Sequence, residues 1–236
     1  MFVSLFVFIV ILALSIPSAI VVIPFAVITG NAGPLYSATC FIVRTAFSVA
    51  GIRVRVEGRD NVPAGKACIF MANHVSNLDP PGLIPRIPGR TAGFAKRAIF
   101  NIPIFGLCMK LGEFIPVDRT RSVSGAQESV AAARRILEKG LHITTFVEGT
   151  RSKDGRMLPF KKGPFYLAME TAAPCIPVSV YGTESLLAKG SYALKPGLVH
   201  FIFHPPIYPK NFDTREDLMA AVRAAIASGL PEWMRR

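Results

Sequence analysis

The sequence predicts an α/β fold: a mixed, mostly parallel sheet flanked by helices, preceded by an N-terminal membrane helical segment. Two observations carry the sheet. Short apolar or alternating runs recur at 51–58, 67–72, 91–96, 114–119, 142–147, 175–181 and 198–203. Helical patterns with start and stop signals separate several of them, and strands alternating with helices argue for a sheet covered on both faces. The third observation concerns the start of the chain. Residues 1–43 contain no Asp, Glu, Lys, Arg or His.

Residues 1–29 are almost continuous Val, Ile, Leu, Phe and Ala. A run of that length can cross a bilayer core of about 30 Å. A signal peptide needs a basic residue before a short apolar run, and none stands here. Pro17 and Pro24 should kink the segment, which membrane helices tolerate. Residues 30–34, Gly-Asn-Ala-Gly-Pro, then break it. A second apolar stretch, 35–50, reaches roughly 24 Å as a helix, short of a full crossing. Residues 1–50 therefore read as a helical hairpin, or as a span followed by a partly inserted helix. Arg44, in the second stretch, either snorkels or faces the domain.

The 236 residues carry a net charge of +12, and all 27 Lys and Arg lie from residue 44 onward. By the positive-inside rule the side bearing Arg44, Arg53, Arg55, Arg59 and Lys66 is cytoplasmic. A basic domain beside an apolar anchor fits anionic headgroups or phosphate-bearing substrates. Nucleic acid is excluded as a partner: the anchor argues against it and no basic-aromatic nucleic-acid motif is present. The four cysteines, Cys40, Cys68, Cys108 and Cys175, form no CxxC pair and have no His at metal-ligand spacing. Cys68 and Cys175 read as core, in a reducing compartment.

Residues 51–236 read as one domain. Residues 51–58 alternate apolar and charged, as a half-exposed strand does. Residues 67–72 form a buried strand. A proline-interrupted helix or loop follows at 78–88, a strand at 91–96 and a helix at 102–111. The strand at 114–119 contains Pro116, which suggests a sheet edge or a bulge. Ser124-Gly-Ala-Gln127 is a capping box opening a helix that Gly140 ends. After the strand at 142–147 come a polar loop to 162 and a helix over 164–171. Strands at 175–181 and 198–203 follow, and Asp213-Thr-Arg-Glu216 caps a last helix to about 228.

Candidate chemistry sits past strand ends, where open α/β sheets place their sites. His74 and Asp79 stand five residues apart after the buried strand 67–72. On a helix that spacing points two side chains to different faces, so they meet only if the chain turns between them. Asn77 and Pro80 favour such a turn. A carboxylate holding an imidazole sets the tautomer of a general base. The other reading of the same residues has Asp79 capping a helix with Pro80 at its first position. Two further clusters are Val117-Asp118-Arg119 and Phe146 to Ser152. In them Arg119 and Arg151 can fork onto phosphate oxygens, Thr150 offers a hydroxyl, and Gly149 allows a ligand close to the backbone. Lys153 and Arg156 read as solvated loop charge. No G-x-S-x-G elbow, H-E-x-x-H or phosphate-binding P-loop is present. His142, His200 and His204 read as structural.

Asn73-His74-x4-Asp79 resembles the first motif of the glycerolipid acyltransferases, the 1-acyl-sn-glycerol-3-phosphate acyltransferase family. Lys96 and Ile102-Pro-Ile-Phe-Gly106 resemble its intervening segment, and Val117-Asp118-Arg119 the close of its second motif, with about one residue more before it. Phe146-x-Glu148-Gly149-Thr150-Arg151-Ser152 resembles the third motif, with Val147 where proline is usual. Phe160-Lys-Lys-Gly163 and Ile176-Pro177-Val178 resemble the downstream block and the fourth motif. The resemblance covers about residues 51–185.

That resemblance implies a membrane enzyme, with an acyltransferase domain over 51–236. It would move an acyl chain from acyl-CoA or acyl-carrier protein to lysophosphatidate, giving phosphatidate. His74 would be the base and Asp79 its partner. Arg119, with Arg151 and Thr150, would hold the acceptor's phosphate, while Glu148 and Gly149 would shape the binding site. Ile176, Pro177 and Val178 would border the acyl path. Neither a metal nor a cofactor is implied beyond the acyl donor. Other acceptors, such as glycerol-3-phosphate or another lysolipid, are the alternatives within enzymes. A non-catalytic lipid-binding protein is the alternative outside them, but it would need neither His74 nor Asp79.

Overall fold

The structure, a computed structural model, describes residues 2–117, 123–188 and 190–235. Two helices come first. Helix α1 (Phe2–Thr29) continues through both Pro17 and Pro24. Helix α2 (Gly33–Val49) has proline in its first turn, where a missing N–H costs nothing. The turn between them uses Gly30 at φ +69° and the Asn31 side chain, which accepts from Gly33 N at 2.9 Å. Helix α1 is long and apolar enough to cross a membrane, and 6% of its most apolar window is buried. Helix α2 packs on α1 on one side and on the domain on the other. Arg44 faces the domain: its guanidinium donates to the carbonyl of Pro85.

Seven strands form one sheet: β1 (Ile52–Glu57), β2 (Ile69–Ala72), β3 (Thr91–Lys96), β4 (Ile115–Val117), β5 (His142–Phe146), β6 (Cys175–Tyr181) and β7 (Gly197–Phe203). Their order is β1-β7-β6-β2-β5-β3-β4. All neighbouring pairs are parallel except β6 and β7. The seven runs read from sequence are thus the seven strands, and Pro116 does lie on an edge strand. Strand β2 is central and buried at every residue, as its apolar composition requires.

The remaining helices are α3 (Asp79–Leu83), α4 (Phe105–Leu111), α5 (Val123–Glu138), α6 (Gly163–Thr171), α7 (Thr183–Leu186) and α8 (Arg215–Gly229). They cover the sheet on both faces. One core joins α5, α6 and α8 to Ile69, Met71 and Ile143. The other joins Val7 of α1, Phe47 of α2 and Leu83 of α3 to Phe70, Ile176, Val178 and Phe201. Thr214 caps α8 by accepting from Asp217 N at 3.1 Å.

Two elements differ from expectation. The helix expected over 102–111 is shortened to α4, and a 3-10 turn, Arg97–Asn101, precedes it. Pro103 and the positive φ of Ile104 interrupt the regular pattern between them. Helix α7 is too short for any periodicity to reveal.

Strands β2, β5 and β6 run in the same direction, so their C-terminal ends lie along one edge of the sheet. The segments that leave those ends meet there.

Candidate active site

Past Ala72 the chain leaves β2 with Asn73. That side chain is spent on the neighbouring strand: Nδ2 donates to Val180 O and Oδ1 accepts from Val180 N, both at 2.8 Å. This clamp fixes where the next residue emerges. His74 follows, and its Nδ1 lies 2.8 Å from Asp79 Oδ2.

Asp79 is wholly buried and heavily bonded. Oδ2 also accepts from the main-chain N–H groups of Val75 at 2.7 Å and Ser76 at 2.8 Å. Oδ1 accepts from the hydroxyl of Thr183 at 2.5 Å. The carboxylate therefore points back along the chain and does not cap α3, which has no side-chain cap. Of the two readings open in the sequence, the paired His74 and Asp79 is the one observed. Asp79 is an acceptor, so Nδ1 carries the proton and Nε2 is left as the basic nitrogen. The imidazole side chain is 16% exposed, and its ring stacks on Phe146 with centroids 4.3 Å apart.

The loop after β5 braces the same segment. Glu148 is buried, and its two oxygens accept from His74 N and Leu158 N, each at 3.1 Å. Burial pushes its pKa up to about 7; those two hydrogen bonds pull the other way, and the charge of Asp79 adds to the rise. Ser152 N donates to His74 O at 2.8 Å. Gly149 adopts φ +68°, and a Cβ there would sit 3.0 Å from the Lys161 side chain. Thr150 and Arg151 are half-buried on this loop, beside the His74 segment.

Other sequence-selected residues fall as follows. Ile176, Pro177 and Val178 are fully interior in β6, with Val178 opposite Ala72. Arg119 and Asp118 lie outside the described residues, and so does the side chain of Ser124 in the capping pattern. Glu113 pairs with Lys139 at 2.9 Å. Lys153 and Arg156 are exposed. The remaining histidines have structural partners. His142 Nδ1 accepts from Cys68 N, His200 stacks on Tyr181, and His204 bonds Ser179.

Thr183 was not singled out from the sequence, and Phe146 was named there only as the first residue of the third motif, with no role. Thr183 lies two residues past β6, which borders β2, so a Gly-Thr pair just beyond that strand is the signal that could have found it. Next to it, Glu184 has a carboxylate oxygen that is buried without a hydrogen-bond partner among the described residues. Burial raises its pKa, and the Asp79 charge contributes to the rise.

Comparison with known proteins supplies a family and a matching fold. A family model described as Acyltransferase matches residues 53–181. A 1-acyl-sn-glycerol-3-phosphate acyltransferase of Limnanthes douglasii is 31% identical over 185 residues, 78% of this chain and 65% of that one. The Homo sapiens 1-acyl-sn-glycerol-3-phosphate acyltransferase alpha is 31% identical over 170 residues, 72% of this chain and 60% of its own length. This chain thus spans just under two thirds of the length of these relatives. The crystal structure of PlsC, the 1-acyl-sn-glycerophosphate (LPA) acyltransferase of Thermotoga maritima, superposes with a TM-score of 0.75 at 32% identity. That match covers 86% of this chain and 81% of that one.

Proposed function

We propose that this chain, which belongs to the acyltransferase family, moves a fatty acyl group to the free hydroxyl of lysophosphatidate and so makes phosphatidate. The observation that carries the chemistry is the pairing of His74 with a buried, fully bonded Asp79. The choice of acceptor is supported by the names of the relatives.

The steps follow from the tautomer. Nε2 of His74 takes the proton of the acceptor hydroxyl as its oxygen attacks the thioester carbonyl of acyl-CoA or acyl-carrier protein. The C–O bond forms, the C–S bond breaks, and the imidazolium returns its proton to the departing thiolate. Attack is direct, with no acyl-enzyme. Asp79 stays ionised and offsets the positive charge that develops on the ring. Phe146 limits rotation of the ring. Arg119, Arg151 and Thr150 hold the acceptor's phosphate, for which a guanidinium fork has the matching geometry. Glu148 and Gly149 shape the loop that presents Arg151 and Thr150. Ile176, Pro177 and Val178 back the acyl chain from inside the sheet. Helix α1 keeps the domain at the cytoplasmic face of a membrane, where both acceptor and product reside.

The test is purified protein with a labelled acyl donor, offered lysophosphatidate, other lysolipids and glycerol-3-phosphate in parallel. Lysophosphatidate should be the preferred acceptor. His74→Ala should lower turnover by about 10²–10⁴-fold, the contribution of a positioned general base. A His74→Ala protein retaining more than roughly a tenth of wild-type turnover would remove the base assignment.

A further inference from the structure

The segment that leaves β3 carries an apolar surface that the reaction does not use. Ile102, Ile104, Phe105 and Leu107 are between 41% and 65% exposed, side by side at the start of α4. The backbone that presents them is stiff and strained. Ile104 has φ +63°, an outlier for a β-branched residue. Phe105 N donates to Pro103 O at 2.6 Å and Gly106 N to Ile102 O at 2.7 Å. A Cβ on Gly106 would stand 2.1 Å from the carbonyl oxygen of Phe100. Such outliers persist where the surroundings over-determine them, and they cluster at working surfaces. Here the strain holds large aliphatic and aromatic side chains outward.

Two observations say what covers this knuckle. It adjoins α1, whose large apolar side chains are exposed, because α4 touches that helix. The chain on either side of it is also basic: Lys96, Arg97 and Lys110 are exposed, and the next acidic residue along the chain, Glu113, is paired with Lys139. Apolar tips within a basic rim match the headgroup–acyl boundary of an anionic bilayer. A second copy of the chain fits poorly, since pairing two such faces would bring like charges together in a protein of net charge +12.

We propose that residues 102–107 form a second membrane contact, an apolar knuckle that enters the boundary of an anionic bilayer beside α1. It rests on the reading of α1 as membrane-inserted. One inserted helix fixes attachment but leaves the whole body free to roll about that helix's axis. A second rigid contact, leaving the sheet at the same edge as His74, fixes which way that edge faces. The site then opens toward the layer that supplies a lipid acceptor.

The experiment uses the full chain in vesicles of phosphatidylglycerol and phosphatidylcholine, with or without brominated acyl chains. Trp233, the sole tryptophan, is replaced by Phe. Single tryptophans are then placed by Phe105→Trp, by Phe6→Trp on α1, and by Tyr166→Trp on α6, across the sheet. Ile102→Trp is a second knuckle probe should the Phe105 variant fold poorly. The knuckle probes should be quenched by brominated lipid to a degree comparable with position 6, while position 166 should respond only to aqueous acrylamide. If position 6 is quenched and both knuckle positions behave like 166, the second contact is wrong and the anchor stands. If neither α1 nor the knuckle is quenched, both readings fall.

Discussion

At the scale of single residues, the site depends on how Asp79 is held. Its four hydrogen bonds come from a side chain five residues back, two nearby N–H groups and one distant hydroxyl. Removing the hydroxyl by Thr183→Ala leaves a buried carboxylate oxygen with no donor, which costs about 1–3 kcal/mol of stability. It also lets the carboxylate rotate, so kcat should fall while KM for both substrates stays near wild type. Thr183→Ser restores the donor and should recover kcat, whereas the isosteric Thr183→Val should not. Steady-state kinetics of the three variants at matched folded fraction checks this. A Thr183→Val enzyme with wild-type kcat would reduce Thr183 to packing. The His74–Asp79 pair was legible because its members are close in sequence and sit at a strand end. Thr183 was not, because it meets Asp79 from 104 residues away. That contact exists only once β6 has taken its place beside β2.

At the scale of elements, the seven strands were legible because buried strands must be apolar and short. The knuckle at 102–107 was not, because an apolar run broken by proline reads equally well as a core helix. The loop after β5 was legible as a candidate phosphate-binding cluster and as a resemblance, and the structure adds its mechanics. Glu148 joins the segments after β2 and β5 by taking N–H groups from His74 and Leu158. Its folded pKa, about 7, lies above the ordinary 4.5 because burial disfavours the charge. The native state thus binds this proton more tightly than the unfolded chain. The associated stability is fully present below about pH 4.5 and is lost as pH rises through about 7. Histidines with lowered pKa values, His142 and His204, act in the opposite direction over part of that range. The clean measurement is therefore the difference in Tm between wild type and Glu148→Gln across pH. Gln keeps one acceptor but opposes an N–H with its own amide, so it should melt lower at every pH. The gap between the two proteins should be widest at acid pH and narrow toward pH 8. A gap independent of pH would show that Glu148 does not titrate in this window.

At the scale of the whole molecule, a basic domain is bound to an apolar helix, and the two parts predict different responses to salt. Helix α2 is tied to the domain by Tyr36, Arg44 and Phe47. The first turns of α1 are tied as well, by Ser4, whose hydroxyl accepts from Leu194 N at 2.9 Å, and by the buried Val7. As a whole α1 is a 28-residue helix, about 42 Å long at ~1.5 Å per residue, and past those turns Ile16, Ile20, Val21, Phe25 and Ile28 are exposed. Exposure of that many large apolar side chains along one helix is not a stable arrangement in water. Basic contact alone would also bring a chain of net charge +12 to an anionic membrane, at about 1 kcal/mol per Lys or Arg near the surface. That attraction collapses in concentrated salt, where the Debye length is about 3 Å at 1 M. Burial of α1 does not, because the hydrophobic effect is not screened. Full-length protein should therefore stay with the membrane fraction through a high-salt wash and leave it only with detergent. A chain lacking residues 2–29 should bind anionic vesicles at low salt and be released by the wash. Full-length protein recovered in the salt supernatant would mean that charge, and not α1, holds it at the membrane.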